Sequence, residues 1–164
     1  MKSSQPGPRT SARVAIALGS NLGDRRAHLE YAVAALQLDL EDIRVSPFLE
    51  TQPLGVGEEH GPYLNAVVVG STELSTRDLL DRLMEIEGER GRARPYPAAP
   101  RTLDLDLILY GDAVVNEHGL HVPHPRFRER DFVLGPLAEI APDMIDPVTQ
   151  QTISELNTKI HEGG

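Results

Sequence analysis

The sequence has no cysteine and no tryptophan, and only seven of its 164 residues are aromatic, four Tyr and three Phe. Without cysteine there is no thiolate nucleophile, no thiolate zinc site and no disulfide framework, and a reducing cytoplasm is the expected setting. No apolar run approaches the roughly 18 residues of a membrane-spanning helix, so no membrane partner is expected. The start, Met1-Lys2-Ser3-Ser4-Gln5, carries no apolar signal segment. Positive charge is also scarce: 25 acidic residues against 16 basic ones give a net charge of −9. That balance opposes bulk attraction to nucleic acid.

What is present is an ordinary globular mix, 40% hydrophobic and 25% charged, in a length that suits one domain. Residues 1–11, rich in Ser, Pro and Gly, read as a flexible tail; residues 12–164 read as a single domain, expected as a monomer. The bases are unevenly placed. Only Lys2 and Lys159 are lysines, and seven of the 14 arginines lie between Arg90 and Arg130. An arginine cluster in an acidic chain points to a pocket for a compact polyanion, because the guanidinium fork matches phosphate oxygens in pairs.

Hydrophobic periodicity gives the elements. Arg13 to Leu18 reads as a buried strand. Asp24 caps a helix with Leu29, Ala32, Val33, Leu36 and Leu40 at helical spacing. Ile43 to Leu49 reads as a second strand whose Pro47 marks an edge or a bulge. Residues 51–62, with two prolines and three glycines, form a long loop. Tyr63 to Val69 is a third strand. Ser75 to Asp78 resembles a capping box that opens a second helix, ended by Gly88 and Gly91. Residues 94–100 hold three prolines and form another loop. Thr102 to Tyr110 is a fourth strand, and Gly111-Asp112 turns into an added hairpin strand at Ala113 to Val115. Helices follow near Val133 to Ile140 and from about Thr152. The order is strand, helix, strand, strand, helix, strand: the βαββαβ pattern of an α+β, ferredoxin-like fold with an antiparallel sheet. Both core helices cover one face, leaving the other to loops or to the C-terminal third. The two long loops are candidate active-site segments.

The segment Arg101-Thr102-Leu103-Asp104-Leu105-Asp106-Leu107-Ile108-Leu109 carries the chemistry. Alternation along a strand puts Leu103, Leu105, Leu107 and Leu109 on an apolar face. Asp104 and Asp106 then share the opposite face, about 7 Å apart. Two neighbouring carboxylates repel unless a cation sits between them. Hard oxygen ligands at this spacing suit Mg²⁺, which keeps one or two carboxylates and takes substrate phosphates as further ligands. Acids for metal beside arginines for phosphate is the layout of phosphoryl transfer. The alternative is a strand with a solvated acidic face, in a non-catalytic ferredoxin-like module that senses a nucleotide or presents its sheet to RNA.

At this point the chain resembles the 6-hydroxymethyl-7,8-dihydropterin pyrophosphokinases of folate biosynthesis. The resemblance rests on Gly19-Ser20-Asn21-Leu22-Gly23-Asp24, Thr51-Gln52-Pro53-Leu54-Gly55 and Tyr63-Leu64-Asn65-Ala66. It continues through Gly91-Arg92, Pro100-Arg101-Thr102-Leu103-Asp104-Leu105-Asp106, Val122-Pro123-His124-Pro125 and Arg130-Asp131-Phe132-Val133-Leu134. It implies a ferredoxin-like enzyme that moves pyrophosphate from ATP to the pterin hydroxymethyl group and releases AMP. By resemblance, Asp104 and Asp106 hold two Mg²⁺ ions, and Arg92 and Arg101 act catalytically on the phosphates. Glu87, Arg92, Arg94, Arg101, Leu107, His124 and Arg130 match positions at the ATP. Thr51, Gln52, Pro53, Leu54, Tyr63, Asn65 and Phe132 match the pterin slot, where Tyr63 and Phe132 sandwich the heterocycle and Asn65 pairs with its polar edge. Bland readings stand beside these: Tyr63 and Phe132 as core, Asn65 as a strand-end polar group, His124 as a turn residue, Glu87 as an exposed helix residue. Many relatives carry a Trp just before the Pro-Arg-Thr-Leu segment; this chain has Arg94-Pro95-Tyr96-Pro97-Ala98-Ala99-Pro100 there.

Overall fold

A computed structural model describes residues 11–21, 23–51, 62–91 and 102–163. Strand β1 (Ala12–Ser20) leads into helix α1 (Arg25–Asp39), where the Asp24 carboxylate accepts the Ala27 N–H at 3.1 Å. Strands β2 (Glu41–Val45), β3 (Leu49–Thr51) and β4 (Tyr63–Thr72) follow, then helix α2 (Thr76–Gly91) and strand β5 (Asp104–Tyr110). A hairpin of β6 (Val115–Glu117) and β7 (Leu120–Val122), a 3₁₀ turn (Phe127–Glu129), α3 (Asp131–Ile140) and α4 (Ile153–Gly163) complete the described chain. No described helix is long and apolar enough to cross a membrane.

The sheet order is β2-β4-β1-β5, with every pair antiparallel and β3 also on β4. This is the ferredoxin-like arrangement expected from the element order. Alternate residues of each strand feed two cores. Val14, Ile16, Leu18, Leu64, Ala66, Val68, Leu105 and Leu107 pack against Leu29 and Leu36 of α1 and Leu79, Leu83 and Ile86 of α2. Ala15, Val67, Val69, Ile108 and Leu109 pack on the opposite face against Phe127, Val133, Leu134, Leu137, Ile153 and Leu156. The C-terminal third therefore supplies the cover for the second face.

Several boundaries differ from the sequence reading. The strand expected at 43–49 is two strands on one edge: across Pro47 the register with β4 shifts by one residue, from Val45–Val68 to Leu49–Asn65, a bulge of the kind that accommodates proline. Ser46 bridges the break: its N–H donates to the Val67 carbonyl at 2.9 Å and its hydroxyl accepts the Val67 N–H at 2.8 Å. Helix α2 runs through Gly88, where an added Cβ would meet nothing within 4 Å. The fourth strand begins at Asp104 rather than Thr102, whose hydroxyl instead donates to the Arg90 carbonyl at 2.7 Å. The added strand starts at Val115 and, among the described residues, pairs with β7 in a separate two-stranded sheet. Finally, Leu109 leaves the row of Leu103, Leu105 and Leu107. The register passes from Ala15–Leu109 to Ile16–Leu107, so Ile108 is an extra residue in β5. Such a bulge reverses the alternation and turns Leu109 into the second core. Residues 1–10, 52–61 and 92–101, on which the expected tail and most of the two expected loops fall, lie outside the described residues.

Candidate active site

One face of the sheet serves two purposes. At one end Ala15, Val67, Val69 and Ile108 are core. Two residues further along the same face, Ala17 and Gly19 of β1, Asn65 and Tyr63 of β4, and Asp106 and Asp104 of β5 line an open cleft of about 710 Å³. Thr51 of β3 joins them, and the far wall is the segment Arg126, Glu129, Arg130, Asp131, Phe132 and Val133 at the start of α3. The cleft exists because α3 and α4 cover only part of the sheet.

Register places the chemistry. Gly19 is the cross-strand partner of Asn65 on one side and of Asp104 on the other. The amide and the carboxylate pair are thus two strand spacings apart, about 10 Å. A Cβ at Gly19 would lie 3.2 Å from Asn65 Oδ1 and 3.8 Å from Tyr63 Cδ1, so glycine keeps the floor low between them. Asn65 is buried, and its Nδ2 donates to Thr51 Oγ1 at 2.7 Å. That bond fixes which way the amide faces and leaves Oδ1 beside Gly19. Asp104 and Asp106 are half-buried on the floor, between buried leucines that face the helices.

The wall opposite carries positive charge. Arg126 and Arg130 line the cleft, and the Arg130 guanidinium lies 5.8 Å from the centre of the Phe132 ring, a cation–π distance. Arg126 and Glu129 are paired only loosely, at 3.9 Å, with both side chains exposed. Acids on the floor face bases on the wall, as a metal–polyphosphate ligand requires.

His124 flanks the wall. Its N–H donates to the Ile108 carbonyl at 3.0 Å, which ties it to the β5 bulge. Its Nδ1 accepts the Arg126 N–H at 3.1 Å, so the neutral ring carries its proton on Nε2. Burial lowers its pKa below the ordinary 6.5, and the Arg130 and Arg126 charges lower it further against a smaller opposing pull from Asp104. The unfolded chain then binds the proton more readily, so this group takes stability away as pH falls through about 6.5 and costs nothing above it. We expect NMR titration to place the His124 midpoint below 6.5; a midpoint at or above that value would contradict this environment.

Of the residues anticipated from sequence, the cleft lining holds Thr51, Tyr63, Asn65, Asp104, Asp106, Arg130 and Phe132. Leu107 does not face it; its side chain is in the helix-side core. Glu87 lies beneath rather than in the lining: its Oε2 accepts the Leu105 N–H at 2.7 Å, gripping β5 between the two aspartates. Gln52, Pro53, Leu54, Arg92, Arg94 and Arg101 lie outside the described residues, as does the proline-rich stretch at 94–100. The arginine cluster divides. Arg126 and Arg130 reach the cleft, Arg128 pairs with Asp146, and Arg90 donates to His28 Nδ1 at 3.0 Å and stacks 4.7 Å over Tyr31. Glu129 and Asp131 line the cleft as well, beyond the site residues anticipated from sequence. Their place beside the Val-Pro-His-Pro and Arg-Asp-Phe segments was the signal available.

The chain is similar in sequence and in fold to known proteins. Residues 15–142 match the family described as 7,8-dihydro-6-hydroxymethylpterin-pyrophosphokinase. The 2-amino-4-hydroxy-6-hydroxymethyldihydropteridine pyrophosphokinase of Aquifex aeolicus is 37% identical over 88% of this chain and 89% of its own length. That of Haemophilus influenzae is 43% identical over 86% and 88%, and that of Bacillus subtilis 45% over 76% and 75%. Among solved structures, wild-type Plasmodium falciparum HPPK-DHPS superposes with a TM-score of 0.74 at 14% identity. It matches 93% of this chain, which spans 45% of that longer one, and the likeness is one of fold. With a matching family, relatives at this identity over most of both lengths, and the shared fold, this chain belongs to the 7,8-dihydro-6-hydroxymethylpterin-pyrophosphokinase family.

Proposed function

We propose that the cleft works with Asp104 and Asp106 as its metal carboxylates and with Thr51, Tyr63, Asn65 and Phe132 as its pterin slot. The reaction itself follows from the family. The chain is an ATP-dependent pyrophosphokinase of folate biosynthesis, transferring pyrophosphate from ATP to the hydroxymethyl group of 6-hydroxymethyl-7,8-dihydropterin. The non-catalytic alternative is not retained. The observation that carries the site assignment is the register of Gly19, with Asn65 on one side and Asp104 on the other.

The donor set suits Mg²⁺. Among the described residues no group of three or more His, Asp or Glu side chains gathers to hold a metal. Two carboxylates at alternate positions on the cleft side of one strand suit an ion that takes its other ligands from water and substrate phosphates. Two Mg²⁺ ions held by Asp104 and Asp106 would neutralise phosphate charge as the transfer proceeds. Arg126 and Arg130 add positive charge from the wall, and neutral His124 offers its Nε2–H to a nucleotide acceptor. Arg92 and Arg101 are assigned by motif to the transferring phosphates, with Arg94 and Glu87 nearby, because always-charged forks follow charge as it shifts in the transition state. Tyr63 and Phe132 supply ring faces for a flat heterocycle, and Asn65, oriented by Thr51, pairs with its polar edge. Gln52, Pro53 and Leu54 complete the slot by motif. The acidic balance supports small-molecule substrates over nucleic acid, and a cytoplasmic monomer completes the reading.

The test is the nucleotide product. Incubation with Mg·ATP and the hydroxymethyl-dihydropterin should yield AMP in step with the pterin diphosphate, and no nucleotide turnover without the pterin. ADP as the product would exclude pyrophosphoryl transfer.

A further inference from the structure

Arg25 opens α1 and is not part of the cleft lining, yet it reaches both strands that carry the pterin slot. Its Nη1 donates to the Pro62 carbonyl at 2.7 Å and its Nη2 donates to Glu50 Oε2 at 2.7 Å. Pro62 immediately precedes Tyr63, and Glu50 immediately precedes Thr51. Thr51 and Tyr63 are themselves cross-strand partners of β3 and β4. One rigid guanidinium therefore joins the Pro62 backbone carbonyl to the Glu50 side-chain carboxylate, at the residues adjoining two slot side chains.

Strand β3 is short and lies at the sheet edge. It has three residues, two of them exposed, and among the described residues it pairs with β4 alone. So short a strand has few ladder bonds to fix its position. The Asn65–Thr51 bond at 2.7 Å depends on that position, and it is the bond that orients the Asn65 amide. The planar fork holds its two nitrogens at a fixed separation, so bonds to the Pro62 carbonyl and the Glu50 carboxylate together limit how far the two residues can part. Lysine, a single point charge, cannot reproduce both. Because Glu50 is half-exposed, the ion pair adds little to overall stability; its effect is on placement.

We infer that Arg25 is a positioning residue for the pterin slot: by tying Pro62 to Glu50 it sets the approach of Tyr63 and Thr51, and through Thr51 the facing of Asn65. This rests on the slot assignment proposed above. Small displacements of binding groups cost large factors in affinity and rate. Arg25→Ala should weaken equilibrium binding of the hydroxymethyl-dihydropterin by about tenfold and leave Mg·ATP affinity unchanged. Its KM for pterin should rise by more than kcat falls. Arg25→Lys and Glu50→Ala, each keeping part of the clamp, should show the same pterin-selective loss at smaller size. Phe132→Ala serves as the control for the slot. Wild-type pterin affinity in Arg25→Ala, with weakened binding in Phe132→Ala, would overturn the role of Arg25 and leave the slot standing. Undiminished pterin binding in both variants would remove the slot assignment and the inference with it. Equal loss of pterin and ATP affinity would make Arg25 a general structural residue and overturn the inference. If Arg25→Ala does not fold, Arg25→Lys and Glu50→Ala decide: without selective pterin weakening in them, the inference fails.

Discussion

Replacement of Asp104 or Asp106 by alanine should lower the single-turnover rate by at least about 10²-fold, the scale of losing one strong electrostatic stabiliser of a transferring phosphoryl group. The double variant should be lower still. Both carboxylates lie on the cleft side of β5, whereas the strand is held by Leu105 and Leu107 in the helix-side core and by Ile108 and Leu109 in the other. The substitutions delete no core atoms, so circular dichroism and thermal melting should stay close to wild type. With the ligands gone, raising Mg²⁺ should recover little of the rate, because the ion would have to be held by substrate phosphates and water alone. Chelation of Mg²⁺ in the wild-type enzyme should have the same effect as the double substitution. Near-normal turnover by a folded Asp104→Ala, Asp106→Ala enzyme would remove the metal role from this pair.

Asp146→Ala should destabilise the fold by about 3–5 kcal/mol, the cost of breaking a buried ion pair from one side. Against a typical total of about 5–15 kcal/mol, that is a large share of the stability. The Asp146 side chain is completely buried. Its Oδ2 accepts Arg128 Nε at 2.5 Å and the Thr149 hydroxyl at 2.8 Å, and its Oδ1 accepts Arg128 Nη2 and the Val148 N–H, each at 3.0 Å. The substitution would strand a guanidinium that stacks over buried Phe127. Burial raises the carboxyl pKa, but the bonds from Arg128, Thr149 and Val148 outweigh it and hold the group below its ordinary 3.8. A depressed carboxylate pKa stabilises the fold at pH above the unfolded value and loses that contribution as pH falls through the folded one. Acid unfolding should therefore lose a component below pH 4, approximately, in Asp146→Asn relative to wild type. The pair anchors the 3₁₀ turn between Arg126 and Arg130, so urea unfolding and activity should decline together. Wild-type unfolding midpoints in Asp146→Ala would contradict this account.

The contrast between these two sites marks what was legible in advance. Asp104 and Asp106 were found from the strand alternation and the flanking arginines, and the register then placed them on the cleft floor. The caps and faces of α1 and α2 were also legible, because amphipathic spacing and Asp24 or Ser75 act within a single turn. Arg128 was not legible as distinct from Arg126 and Arg130. Three arginines at alternate positions look alike in sequence, and the residue that separates them, Asp146, lies 18 positions away.

By itself, then, the chain determined its element order, its ferredoxin-like class and the identity of the paired carboxylates, because each depends on contacts or periodicity within a few residues. Only the tertiary structure decided that β5 bulges at Ile108 and sends Leu109 to the second core, and that Pro47 splits one edge strand into two. It alone decided that Glu87 grips β5 between its aspartates and that Gly19 stands between Asn65 and Asp104. Each of these depends on register between strands or on a partner far along the chain. Pairing across the sheet is set jointly by the hydrophobic patterns of both partners and the turns between them, so one strand's sequence alone does not give it.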